Sequence, residues 1–405
     1  MEVKPAYLVM ITATANNNKY YRMTPKGDSF LVEFGRIGNT SSQTSSYPIS
    51  SWNKKYKEKI KKGYVDQTHL IEDIITKEAP KDLTYDEILN KNIATIVDRL
   101  QSMADRAIRD NYTIGSNQVT QAMIDEAQNS LIRLISSESV EFFNDELLKL
   151  FSIIPRKMSN VSSYLASTNS DFGEVIAREQ DLLDVMQGQI VKKDPSPKLV
   201  SESLSQKGMT ILDERGLEFS EATNEDILKI KSLLGSCSDK FKNAWVVKNN
   251  KTQEKFDNFV KSEGNIKTKL LWHGSRNENW WSIINSGLVL KPTNAVITGK
   301  MFGYGTYFAT KARKSLGYTS LSGSYWARGS SNSAFMSLYD VAYGTPYDAY
   351  SFDSQYNQLN YDRLQRIKPG AHCLHAHEGK MLRNDEIIVY KEDQTTIKYL
   401  VELKN

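Results

Sequence analysis

The spacing of apolar residues changes twice along this 405-residue chain, and that change constrains the fold more than any other feature. Tyr7 to Ile11, Tyr20 to Met23 and Phe30 to Phe34 are short β-prone runs, separated by turns at Asn16-Asn17-Asn18 and Pro25-Lys26-Gly27-Asp28. The Ser/Thr-rich stretch from Asn39 to Ser51 reads as a loop. Trp52, Tyr56 and Ile60 then share one face of a helix. From about Leu83 apolar residues recur every three or four positions: Val119, Met123, Ala127, Leu131 and Leu134, then Phe143, Leu147, Leu150 and Phe151, then Val175, Leu182, Val185 and Met186. Pro155 stops one of these helices. Asp194-Pro195-Ser196-Pro197 is a linker signal, and the remainder is β-rich with many turns. It closes on two strands, Glu386 to Tyr390 and Ile397 to Leu403, joined by the polar turn Lys391 to Thr396. The prediction is a multidomain α+β protein: a small β-rich module over 1–80, an all-α bundle over 83–192 and a mixed, β-rich domain over 200–405.

Composition narrows the class without naming it. The apolar and charged fractions are those of an ordinary globular chain. A formal net charge of +4 is too small to diagnose nucleic-acid binding. Locally the balance differs, because Lys54 to Lys62 holds six lysines against one glutamate. Two cysteines exclude a disulfide framework or a multi-cysteine zinc finger, and suit a reducing intracellular compartment. No run approaches 18 apolar residues, so neither a signal peptide nor a membrane partner is expected.

Three segments of the last domain carry chemistry: Leu270-Leu271-Trp272-His273-Gly274-Ser275-Arg276, Gly303-Tyr304-Gly305-Thr306-Tyr307-Phe308-Ala309, and Asn384-Asp385-Glu386-Ile387-Ile388-Val389-Tyr390. Cleaving NAD at its nicotinamide–ribose bond needs a grip on the carboxamide, a stack for the ring, and a negative charge near the oxocarbenium-like ribose. Gly274 can offer backbone N–H and C=O at close range. Tyr307 and Tyr318 can sandwich a ring, Ser315 can donate a hydrogen bond, and Glu386 can supply the charge. Singly, each residue is as well explained by turn, core or surface; the conjunction is what points to NAD. Gly303-x-Gly305 is no dinucleotide fingerprint, since Phe308 holds its third glycine position.

In this order the segments resemble the catalytic domain of the poly(ADP-ribose) polymerases. The resemblance implies a catalytic set of His273, Tyr307 and Glu386, with NAD held by His273, Gly274, Ser275, Tyr307, Ala309, Ser315 and Tyr318. It also puts Lys314 with Glu386 on the elongation and acceptor side, the glutamate being similar to that of polymerising members. Residues 1–80 look like a WGR domain, with Phe34-Gly35-Arg36 in place of Trp-Gly-Arg, and the bundle is similar to the family's regulatory helical domain.

Implied DNA contacts are Phe34, Gly35, Arg36, Asn18, Lys54 and Lys55, and implied partners are damaged DNA ends or nicks and protein acceptors, the enzyme itself included. Phe34 keeps an aromatic face but lacks the indole N–H, and Val289 stands where larger members carry an arginine. His372, Cys373, His375, His377 and Glu378 correspond to a variable loop before the Glu386 strand, and no metal is expected there. The implied function is DNA-break-stimulated polymerisation of ADP-ribose from NAD by a monomer. Mono-ADP-ribosylation and silent binding of DNA ends or ADP-ribose are the alternatives. An intracellular location follows, nuclear in a eukaryote and cytoplasmic or nucleoid in a bacterium.

Overall fold

The computed structural model describes residues 3–38, 42–70, 85–112, 119–187, 208–290, 301–324, 329–380 and 382–405. The chain divides into two compact units, residues 1–83 with 105–190 and residues 84–104 with 191–405. The fold is multidomain α+β, as expected.

In the first unit, β1 (Ala6–Thr12), β2 (Asn17–Lys26), β3 (Ser29–Arg36), β4 (Gln43–Pro48) and β5 (Val65–Asp66) form a sheet in the order β4-β3-β2-β1-β5. Alternation puts Leu8, Tyr21, Met23, Phe30 and Val32 on the face covered by Trp52 of the helix Trp52–Lys61. Trp52 meets Phe30 edge-on at 4.9 Å, and Tyr56 donates its hydroxyl to Asp66 at 2.6 Å. Ile60, expected on the same face, is 39% exposed. The expected loop over 39–51 contains β4, an edge strand of Gln, Thr, Ser and Tyr with no apolar alternation to announce it.

The helices Gln121–Ile135 and Val140–Ile153 start at Thr120 and Ser139, whose hydroxyls accept from the N–H groups of Met123 and Phe142. The second ends just before Pro155, as expected. Phe143 stacks on Phe172, the first residue of the helix Phe172–Gln187, at 4.0 Å. Arg156 and Glu179 form a fully buried pair at 2.6 Å. Of the three asparagines expected to form a turn, only Asn16 does so, while Asn17 and Asn18 open β2; Asn16 and Asn18 lie against residues 156–161. Asn18, wholly buried, donates to the Arg156 carbonyl at 2.9 Å, and the Val161 N–H donates to the Asn16 side chain at 3.0 Å.

The second unit is built on a nine-stranded sheet, β11-β12-β13-β9-β8-β10-β14-β7-β6. The strands are β6 (Leu217–Glu221), β7 (Phe241–Asn249), β8 (Thr268–Gly274), β9 (Thr306–Ala309), β10 (Ser333–Ala342), β11 (Pro346–Ala349), β12 (Cys373–Ala376), β13 (Glu386–Val389) and β14 (Thr395–Lys404). The last two strands of the sequence, read as joined by a simple polar turn, are not neighbours: β9, β8 and β10 lie between them. Gln394 makes this crossing possible. Its buried side chain accepts from the N–H groups of Tyr390 and Lys391 and donates to the carbonyls of Ala342 and His372, tying the connection to the end of β10 and the start of β12.

On β14 the buried Glu402 accepts from Arg99, Lys242 and the Ser333 hydroxyl. Burial works against its charge, but these hydrogen bonds prevail and hold its carboxyl below the usual range. A carboxylate depressed in the folded state stabilises above its unfolded pKa, about 4.3, and that contribution is lost as pH falls through the lower folded value. Glu402→Gln should therefore flatten the decline in melting temperature of this unit below about pH 4.3. A decline as steep as in the wild type would show that other groups govern it.

Candidate active site

The three signature segments arrive on adjacent strands. Glu386 opens β13, which runs antiparallel to β9 with Glu386 opposite Ala309 and Ile388 opposite Tyr307. β8 carries His273 and Gly274 and pairs along its other edge with β10, His273 opposite Ser337. Between β8 and β9 the described pairing is one contact, Trp272 with Ala309. The β8–β9 ladder pair thus lies just before His273 and Gly274, at the C-terminal end of β8.

His273 reaches across to β9, its Nδ1 bonded to the Tyr307 carbonyl at 3.0 Å. A carbonyl can only accept, so Nδ1 carries a proton. The ring lies 5.7 Å from Phe308 and 6.0 Å from Tyr339. Glu386 is 8% exposed, and its Oε1 is 2.6 Å from Lys314 Nζ, which also donates to the Asn384 carbonyl at 3.3 Å. The Tyr307 hydroxyl accepts from Phe302 N–H and donates to the Gly303 carbonyl, which fixes its ring beside β13. Burial raises the Tyr307 phenol pKa against the Phe302 hydrogen bond, with a further push from the Glu386 charge. Burial and then Glu386 push Tyr318, 40% exposed, up to about 12. Both tyrosines are therefore within electrostatic reach of the same carboxylate.

The glycines have steric reasons. A Cβ on Gly274 would sit 2.0 Å from the Ser315 carbonyl oxygen, so the helix Ala312–Leu316 packs directly on the β8 backbone. Gly303, at φ +73°, admits the Leu359 backbone, and Gly305 admits Ile388 and Val389. The Gly-x-Gly spacing serves strand packing, consistent with its failure as a dinucleotide fingerprint. Gly274→Ala should push this helix away, lower stability by about 1–3 kcal/mol and raise the KM for NAD. An unchanged KM, read from initial rates of nicotinamide release, would detach Gly274 from the site.

The remaining candidates fall into place unevenly. Ala309 is the hinge pair between β8, β9 and β13. The Ser275 hydroxyl accepts from Asn279 at 3.1 Å. Ser315, expected to donate to a ligand, is buried and donates to the Trp272 carbonyl at 3.2 Å, which leaves its lone pairs to accept. Among the implied DNA contacts, Asn18 is buried rather than presented, and Arg36 donates to the carbonyls of Asn16, Met158 and Ser159. Phe34 is half-buried, 5.9 Å from Tyr21, and Gly35 pairs with Tyr20 in the sheet. Lys54 is exposed, and Lys55 lies over the Tyr47 ring at 4.6 Å. Sequence reasoning missed the ring wall of Tyr339 and Trp280 around His273, although alternation along β10 put Tyr339 on the His273 face.

Residues 225–405 match the family of the Poly(ADP-ribose) polymerase catalytic domain, and residues 4–70 match the WGR domain. The putative poly [ADP-ribose] polymerase-like protein 100L of Invertebrate iridescent virus 6 is 33% identical over 189 residues, 45% of this chain and 96% of the viral protein. Protein 101L of the same virus is 31% identical over 232 residues, 56% of this chain and 93% of that protein. Poly [ADP-ribose] polymerase 2 of Zea mays is 27% identical over 212 residues, which cover 45% of this chain and 31% of the plant enzyme. The domain matches define an NAD+-consuming ADP-ribosyltransferase. The chain belongs to the poly(ADP-ribose) polymerase family and carries a WGR domain. No described helix is long and apolar enough to cross a membrane.

Proposed function

We propose that this chain builds poly(ADP-ribose) on protein acceptors, itself included, and that DNA ends or nicks stimulate it. The observation that carries the chemistry is the Lys314–Glu386 pair at 2.6 Å, on the strand beside Tyr307. By strand register, Glu386 shares a face with Ala309 and Tyr307, and His273 shares the other with Phe308. A single ligand touching both must lie at the C-terminal end of β8, beyond its pair with β9. NAD is long enough and has suitable ends. Nicotinamide would stack between Tyr307 and Tyr318 with its carboxamide at Gly274, while His273 Nε2 accepts from the hydroxyl of the adenosine-side ribose.

Reaction then breaks the bond from ribose C1′ to the nicotinamide nitrogen, and nicotinamide leaves with the electron pair. Glu386, held in position by Lys314, stabilises the positive ribose and accepts the proton of the incoming hydroxyl as its oxygen bonds C1′. In elongation that hydroxyl belongs to a ribose already attached, so the same carboxylate must orient donor and acceptor. Control by DNA is supported by the first unit. Asn16, Asn18 and Arg36 of the WGR module hold residues 156–161 of the helical segment, so a ligand that moves this turn or Arg36 acts on the helices directly. NAD turnover by the full chain should rise several-fold on adding nicked duplex DNA. Equal turnover with and without DNA would remove the regulatory part of this reading.

A further inference from the structure

The segment expected to be a variable loop, His372 to Glu378, contains β12, and the strand sorts its side chains. Cys373 points into the core, where its thiol donates to the Tyr343 carbonyl at 3.3 Å and burial pushes it up to about 12. His372 lies beside Glu263 at 3.5 Å. His375, buried, and His377, half-buried, lie side by side, their rings stacked at 3.9 Å. Asp348 is the register partner of His375 on the parallel edge strand β11, and its Oδ1 lies 2.7 Å from His377 Nε2 and 3.9 Å from His375 Nδ1. Ligand atoms of all three fall within 4.8 Å of one another.

We propose that Asp348, His375 and His377 form a site for one divalent transition-metal ion of the zinc class, outside the NAD site. Two imidazoles and one carboxylate are the donor set such an ion prefers, whereas magnesium and calcium demand more oxygens. The surroundings are those of a metal ligand. His375 Nε2 lies 3.2 Å from Asp385 Oδ2, the carboxylate–histidine arrangement that fixes the proton on Nε2 and leaves Nδ1 as donor atom. Asp385 is itself anchored, its other oxygen accepting from Glu378 N–H at 2.7 Å. The His377 ring is held by stacking on Tyr350 at 4.4 Å. Asp348 and His377 are partly exposed, which gives the ion an entry path and room for water as fourth ligand.

Without metal the same groups pair with one another. Tyr343 donates to His375 Nδ1 at 2.8 Å, and His377 Nε2–H donates to Asp348. Binding releases the Tyr343 hydroxyl and moves the His377 proton to Nδ1, so both imidazoles stay neutral and no net proton is lost. Lys269 is a cation close to the site, its ammonium lying over the Tyr343 ring at 3.4 Å.

The test is equilibrium dialysis and calorimetry of the full chain with Zn2+, in the wild type and in Asp348→Asn and His377→Asn. Both substitutions are at partly exposed positions, and circular dichroism checks that they fold. His69→Gln serves as control, because His69 lies 2.9 Å from Glu126 on the surface of the first unit. The expected result is one saturable site per chain, weakened at least tenfold in each site variant and unchanged in the control, with a zinc-dependent rise in melting temperature that the site variants lose. No saturable binding, or equal binding by wild type and both site variants, would overturn the proposal, as would loss of the site in His69→Gln.

Discussion

Glu386→Gln should lower ADP-ribose transfer by about 100- to 1,000-fold, the usual cost of removing one preorganised electrostatic group from a transition state. Chain elongation should vanish altogether. The amide keeps the size of the carboxylate and can still accept a hydrogen bond from Lys314, so NAD affinity should change little. What is lost is the charge that stabilises the ribose cation and the base that takes the acceptor's proton. Kinetically the fall belongs in kcat, with KM nearly constant, since the interaction matters in the transition state and not in the ground state. Long polymer made by this variant would remove Glu386 from its role. A KM raised as much as kcat is lowered would make it a binding residue only.

The second large effect lies far from the chemistry. Glu179→Leu should destabilise the first unit by about 3–5 kcal/mol, because it strands the Arg156 guanidinium, which is buried, against Phe151, Tyr112 and Tyr164. In a unit of this size that is a fall in melting temperature on the order of 10 °C. Arg178 loses the same partner, but its side chain is 39% exposed and water can solvate it, so the cost falls on Arg156. The double variant Arg156→Met/Glu179→Leu should recover most of the loss, since an apolar pair of similar volume carries no desolvation cost. Equal instability of single and double variants would mean that the Arg156 side chain matters for its other bonds, to Asn111 and the Tyr112 hydroxyl.

Much of the catalytic unit was legible because its segments carry their own constraints. Glu386 at a strand start, Gly274 before a polar turn and Tyr307 in an apolar run each state a local conformation, and strand pairing brought them to adjacent positions. Long-range order was not legible. Nothing in Lys391 to Thr396 distinguishes a hairpin from a crossing; the deciding residue, Gln394, does so by bonds to strands distant in sequence. β4 escaped notice because an exposed edge strand needs no apolar period. The purpose of Gly303 and Gly305 depended on Leu359 and Ile388, which spacing alone does not bring near. Asn18 and Arg36 are expected DNA contacts, yet one is wholly buried and the other donates to carbonyls of the helical segment. The histidines of β12 looked irregular until β11 supplied Asp348.

The account rests on transfer and elongation by one chain acting on NAD+. Incubating the purified protein with adenine-labelled NAD+ and nicked duplex DNA, then resolving the products on a denaturing gel, tests this most directly. The predicted result is label on the protein as a ladder extending to high mass, absent in Glu386→Gln. No incorporated label in the wild type, with DNA or without it, would contradict the account.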